Sequence, residues 1–380
     1  MRKLKIARLI NVQTDIILFD DVKTEYIESI ALENFKYQKI YVDIFKSFSR
    51  RIVFSIPSIL RSIYYFLLRY DKKNSWKINL ILAYYYGVIN TIAPKVIITY
   101  QGTPKHFFSL LTSISRNINI LALSLSPLRD RNIRDMEPSI ARNPELAHYY
   151  VWGENDKKDL VSIGQLEKNI HVIGSMLSGI HNLTNQVENS TEKYDICIIS
   201  TIQEVEDKEG EKNEDILLKF TFDYLTSNPN LRICIASRQT VEKGKKRERN
   251  FYSGRLRGIQ LDFIESDVDN LSSYKAISSS KIVIAQNSSL GLEAMGWGHK
   301  VLFCQPNKLS FWTPDDLTYS VIGYNQDRFN SLLGELFEIP VSQYREKIKN
   351  NATKYCYFDK INPPHLVIQN KLNELLLELK

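Results

Sequence analysis

Apolar residues recur along this chain in two alternating rhythms. Short runs of β-branched and aliphatic residues, at 15–19, 39–42, 95–100, 118–123, 149–153 and 171–173, read as strands. Between them, helices are read over 25–34, 58–70, 77–92 and from about 106, with a polar one over 155–163. The rhythm restarts with strands at 195–200, 231–236, 260–264, 281–285 and 300–303. Helices are predicted over 214–225, 271–278 and 289–297, with a last amphipathic one at 366–379. The charged stretch 203–214 reads as a loop, and 240–257 as a charged segment between strands. Strands that are apolar throughout, rather than on alternate positions, are buried on both faces, so the expectation is α/β with doubly wound parallel sheets. Residues 181–193 are polar and aperiodic, which places a linker there between domains at 1–180 and 194–380.

Size and composition agree with two domains: 380 residues at 43% hydrophobic content exceed one ordinary core. A formal charge of +7 suits an anionic ligand or membrane face, and no basic stripe interleaved with aromatics points to nucleic acid. Four dispersed cysteines, three in apolar runs, fit a reducing cytosol without a zinc site. The basic start is followed by an apolar stretch broken at Asn11, Gln13 and Asp15, so no signal peptide is expected, and no apolar run reaches membrane-spanning length. The expected location is cytoplasmic, with peripheral attachment to the inner membrane face as an open alternative. That alternative comes from 58–70, apolar nearly all round and accompanied by Arg50, Arg51, Arg61, Arg69, Lys72 and Lys73. The segment reads either as a core helix or as a basic, aromatic helix on an anionic membrane surface. Residues 124–148 have three prolines and little periodicity, which makes a long loop.

The most informative chemistry lies at 281–304. A buried strand delivers Gln286 and Asn287 to its carboxyl end, where Ser288 or Ser289 caps the next helix and Gly291 would let a ligand approach. Backbone N–H groups and the helix dipole favour a phosphate there. Glu293, one turn on, is spaced to accept from ribose hydroxyls; a plain cap with Glu293 in solvent is the alternative. Asp267 and Asp269 form an Asp-x-Asp, but they sit at a predicted helix start where Asp is expected as a cap, and no metal is expected.

The run Asn-Ser-Ser-Leu-Gly-Leu-Glu-Ala-Met-Gly-Trp-Gly-His-Lys-Val-Leu at 287–302 resembles the donor-site helix of GT-B glycosyltransferases from bacterial surface-carbohydrate biosynthesis. Tyr-Val-Trp-Gly-Glu at 150–154, with Val-Ile-Gly-Ser at 172–175, is similar to the segment closing the first domain in that group. The resemblance spans about 149–304 and implies two Rossmann-like domains facing a cleft, with the C-terminal helix crossing back. It implies a nucleotide sugar on the second domain, phosphate at 287–290 and ribose near Glu293. Arg238, just after a strand, would neutralise the leaving phosphate without metal, and Ser200 and Thr201 would donate to phosphate or sugar. A surface arginine and ordinary turn residues are the alternative readings. The acceptor, a glycan or lipid-linked precursor, would meet a base among Asp20, Asp21 and His106, with Asp135 and Glu137 as further candidates, and be bound by Gln101, Gly102, Arg131 and Arg134. Polyol-phosphate or pyruvyl transfer, epimerisation of a nucleotide sugar, and a non-catalytic scaffolding subunit remain as alternatives.

Overall fold

The computed structural model describes residues 8–9, 14–19, 28, 32–40, 53–72, 74–100, 118–124, 145, 147–179, 192–266, 272–306, 314 and 316–377. The chain divides into two compact units, Met1–Ile180 with Asp359–Lys380, and His181–Phe358. Each described unit holds a six-stranded sheet whose described pairings are all parallel, so both are α/β units.

In the first unit the strands are β1 (Arg8–Leu9), β2 (Ile16–Phe19), β3 (Tyr37–Ile40), β4 (Val53–Phe54), β5 (Val96–Tyr100), β6 (Asn119–Leu123), β7 (Ala147–Val151) and β8 (Ile170–Val172). The main sheet runs β3-β2-β5-β6-β7-β8, and β1 pairs with β4 apart from it. Its helices are α1 (Ile56–Arg69), α2 (Trp76–Ile92) and α3 (Glu154–Ser162). Side chains along β2 alternate between two cores, as the strand's period of two requires. Ile17 and Phe19 pack with Tyr85, Val88 and Ile89 of α2, while Ile16 and Leu18 face the other way. That second face is covered by Ile368, Leu372 and Leu375 of α10 (Pro364–Leu377). The C-terminal helix therefore returns to the first unit, as expected of the fold. Residues 359–380 consequently leave the 194–380 domain outlined from the sequence, because their apolar stripe completes the first core.

The second unit contains β9 (Tyr194–Ile199), α4 (Lys208–Ser227), β10 (Ile233–Ala236), α5 (Glu242–Arg255), β11 (Leu261–Ile264), α6 (Ser272–Ser278), β12 (Ser280–Ala285), α7 (Ser289–Gly296), β13 (Lys300–Gln305), β14 (Ser320–Ile322), α8 (Gln326–Glu338) and α9 (Val341–Tyr355). Its strand order is β11-β10-β9-β12-β13-β14. The chain runs outward from β9 through β10 to β11, then crosses to β12 on β9's other side, which makes the β9/β12 boundary a topological switch point.

Three local expectations change. The charged segment 240–257 is mostly helix α5, whose polar outer surface hides a buried stripe of Gly244, Glu248, Phe251 and Tyr252. Helix α4 begins six residues before the expected 214, because Asp207 caps it, its side chain accepting from the Gly210 amide at 3.2 Å. Beyond 304, where no element was expected before 366, lie β14, α8 and α9. The helix expected from 106 lies outside the described residues, as do most of the helix expected at 25–34, of the loop at 124–148, whose last two residues begin β7, and of the linker.

Leu372 is fully buried against the first sheet. Leu372→Ala should cost roughly 2–5 kcal/mol. Hydrogen exchange should show the loss as reduced protection of β2, β5 and β6, with β9 and β12 changing less.

Candidate functional site

Open α/β sheets bind ligands beyond the carboxyl ends of the strands that flank a switch point. In the second unit those strands are β9 and β12, followed by Ser200-Thr201 and by Gln286-Asn287-Ser288. The turn after β10 adds Ser237, Arg238 and Gln239 beside the first of these.

The β9 and β10 turns are fastened from below by two carboxylates. Glu214 of α4 is fully buried and accepts from the Thr201 hydroxyl at 2.7 Å and from the Tyr252 hydroxyl of α5 at 2.5 Å. Burial pushes its carboxyl up to about 7, against the pull of those two donors, and nearby Glu248 pushes the same way. Tyr252 is itself raised by burial and by Glu214. Glu248 of α5, equally buried, accepts from the Arg238 amide at 2.9 Å, and its other oxygen has no hydrogen-bond partner among the described residues. The Arg238 guanidinium stays exposed and reaches the Thr201 carbonyl at 3.4 Å. Gln239 donates to the Ile202 carbonyl, and Arg247 holds the Gln203 carbonyl and Glu211.

On the other side of the switch point, Gln286 is buried and Asn287 exposed. Ser288 is the N-cap of α7, its hydroxyl accepting from the Leu290 amide at 3.3 Å. Ser289 is the first residue of the helix and half-buried. The arrangement presents a helix N-terminus, hydroxyls from two turns and an exposed guanidinium along one sheet edge, a set suited to an anion such as phosphate. Among the described residues, no three His, Cys, Asp or Glu side chains are grouped to hold a metal ion.

Two expected roles look different in place. Gly291 does not leave room for a ligand: a β-carbon there would lie 2.5 Å from that of Ala285 and 3.0 Å from the Phe303 ring, so the group that approaches it is the sheet itself. Glu293 is neither at the surface nor unpartnered, being 3% exposed and accepting from the Tyr274 hydroxyl of α6 at 2.7 Å. Asp20, Asp21, Gln101, Gly102, His106, Arg131 and Arg134, with Asp135, Glu137, Asp267 and Asp269, lie outside the described residues. The strands that precede the first five, β2 and β5, end at Phe19 and Tyr100 and flank the first sheet's own switch point.

Sequence reasoning missed Glu214, Glu248, Tyr252 and Tyr274. A signal for the two acids existed: Glu214 shares the inward face of α4 with Leu217, Leu218, Thr221 and Leu225, and Glu248 that of α5 with Phe251 and Tyr252. A carboxylate on an apolar stripe is rarely buried without a partner.

Residues 156–328 match a family model described as putative O-antigen biosynthesis protein. No curated protein matches the sequence. The fold is that of solved GT-B-type enzymes. UDP-GlcNAc 2-epimerase from Neisseria meningitidis, bound to UDP-GlcNAc, superposes with TM-score 0.59 at 12% identity, over 96% of this chain and 99% of that one. The Methanocaldococcus jannaschii UDP-GlcNAc 2-epimerase, in complex with UDP-GlcNAc and UDP, gives 0.54 at 14% identity over 97% and 99%. An α,α-trehalose-phosphate synthase (UDP-forming) from Burkholderia vietnamiensis gives 0.54 at 10% identity over 98% and 100%.

Glu214 holds a proton in the folded state across the interval from its ordinary value of 4.5 to about 7, where the unfolded chain has released it. Its contribution to stability is complete below about 4.5 and is lost as pH rises through about 7. Relative to wild type, Glu214→Gln should gain on the order of 3 kcal/mol between those limits. Urea titrations of both proteins at acid and neutral pH measure it; parallel pH profiles would reject a raised Glu214.

Proposed function

We propose that this chain is a glycosyltransferase of bacterial surface-glycan assembly, moving a sugar from a nucleotide donor to a polysaccharide or lipid-linked acceptor without a metal. The observation that carries the reading is the polar edge at the β9/β12 switch point, where Ser200, Thr201, Arg238 and the capped start of α7 converge on a fold whose solved representatives include proteins crystallised with UDP-GlcNAc or UDP. In this reading the donor phosphates rest against Ser288, Ser289 and Asn287, and the Arg238 guanidinium meets the phosphate that departs with the nucleotide. Charge building on that oxygen is stabilised by a donor already in position. The ribose lies near Glu293, which Tyr274 holds. Gln286, buried at the end of β12, supports the same turn.

The acceptor belongs to the first unit in this proposal. Asp20 and Asp21 follow β2 in the sequence, and Gln101, Gly102 and His106 follow β5, the two strands that flank that sheet's switch point. One of Asp20, Asp21 or His106 takes the acceptor proton, while Gln101, Gly102, Arg131 and Arg134 hold the acceptor. The family match to an O-antigen biosynthesis model over 156–328 supports a surface-glycan setting.

A second reading, epimerisation of a nucleotide sugar, is favoured by the near full-length likeness to UDP-GlcNAc 2-epimerases. Incubating the protein with UDP-GlcNAc and no acceptor distinguishes the two: a new epimer in the proton spectrum identifies an epimerase.

A thermal-shift panel of UDP, CMP, CDP, GDP and TDP tests donor binding. A nucleotide at 100 times its Kd should stabilise the protein by about 2.7 kcal/mol. Arg238→Ala should weaken that nucleotide by about 10- to 100-fold, the worth of a hydrogen bond to a charged group. No shift with any nucleotide would leave a scaffolding subunit as the better account.

A further inference from the structure

We propose that the α1–α2 hairpin of the first unit is a membrane-docking surface that lies on an anionic lipid leaflet. Helix α1 is well formed at its start: Ser55 and Ser58 make a reciprocal capping box and Pro57 occupies the first turn. Its inner side is narrow and closely seated on α2. A β-carbon on Gly87 would lie 2.1 Å from the Ser62 hydroxyl and 2.3 Å from the Ser58 carbonyl, Tyr65 stacks on Tyr86 at 4.4 Å, and Arg61 bonds the Asn90 carbonyl and Thr91.

The rest of α1 faces outward, and it is apolar. Ile56, Leu60, Ile63 and Leu67 follow one helical line, flanked by Ile59 and Tyr70 on one side and Tyr64 and Leu68 on the other; all are exposed, Ile56 by 76% and Leu67 by 73%. Trp76 and Leu80, one turn apart at the start of α2, are exposed as well. An apolar face this wide on an outer helix needs a cover. At 14 residues α1 is about 21 Å long, and no helix among the described residues is long and apolar enough to cross a bilayer, so the helix would lie along a membrane rather than through it.

Charge selects the occupant. Arg69, Lys72 and Lys77 are exposed around the apolar face, Arg61 being engaged with α2, and Asp71 is the one described acid between residues 55 and 80. Two copies of the chain pairing through this face would bring excess positive charge together, whereas an anionic leaflet neutralises it. Each Lys or Arg near such a surface raises partitioning by about fivefold. Tyr64, Tyr70 and Trp76 carry ring bodies with polar tips, a chemistry that suits headgroup depth. The proposal does not rest on the donor site, since the hairpin lies wholly in the first unit and its test uses no nucleotide.

The full chain is tested by flotation with phosphatidylcholine vesicles, with and without phosphatidylglycerol, while tryptophan emission is followed. Wild type should bind the anionic vesicles at least about tenfold better than neutral ones. A blue shift absent from Trp76→Phe should accompany binding: Trp152 and Trp297 are already buried, and the variant, which retains Trp312, isolates the signal of Trp76. Leu60→Glu with Leu67→Glu should abolish binding, and Lys72→Glu with Lys77→Glu should reduce it about tenfold or more. All four positions are exposed, and an unchanged thermal midpoint establishes that each variant folds. Equal binding to both vesicles, binding to neither, or a solution dimer that Leu60→Glu with Leu67→Glu converts to monomer would overturn the proposal.

Discussion

Three carboxylates stand on the inward faces of α4, α5 and α7, and two of them, Glu214 and Glu248, take a donor from the carboxyl edge of the second sheet. Removing a carboxylate from water costs several kcal/mol unless it is neutralised or hydrogen-bonded. Glu214 meets that demand through Thr201 and Tyr252, Glu248 in part, through the Arg238 amide on one oxygen, and Glu293 through Tyr274. In the first two cases the donor belongs to a turn that would otherwise be a loop tip, so the cost of burial is turned into fixed positions for Ser200, Thr201 and Arg238. A ligand arriving at this edge meets groups already oriented, which lowers the entropy lost on binding.

Most of the architecture was legible because parallel strands buried on both faces leave unbroken apolar runs. Ile16–Phe19 and the runs 196–199 and 282–285 are of this kind. Helix α5 was not, since its outer surface is so charged that only Gly244, Glu248, Phe251 and Tyr252 mark an inner side. At the candidate site the cap at Ser288 was readable from residue type and strand context. The meaning of Gly291 was not, because it depends on Ala285 and Phe303, one before it in the preceding strand and one after it in the next. Glu214 and Tyr252 lie 38 residues apart, and their hydrogen bond exists only once α4 and α5 are packed.

The two units handle apolar surface differently. The second sheet is covered by its own helices, whereas the first unit places α1 as an outer layer on α2 with its broad face uncovered. Gly87 makes this possible: with no side chain there, α1 can sit so close to α2 that Ser58 and Ser62 meet it directly beside the Tyr65–Tyr86 stack, and most of the large residues of α1 point away. A larger residue at 87 would push the helices apart.

The return of α10 bears on how the protein is made. Ile368, Leu372 and Leu375 complete a core begun by Ile16 and Leu18, so the second unit is in effect an insertion within the first. Domains tend to fold in the order in which they leave the ribosome. Here β2 and β5 emerge first, yet the core on one face of their sheet is incomplete until residues 364–377 have been translated. The unit begun first is therefore the last to be completed, and a nascent chain leaves part of an apolar sheet face uncovered until α10 has been made.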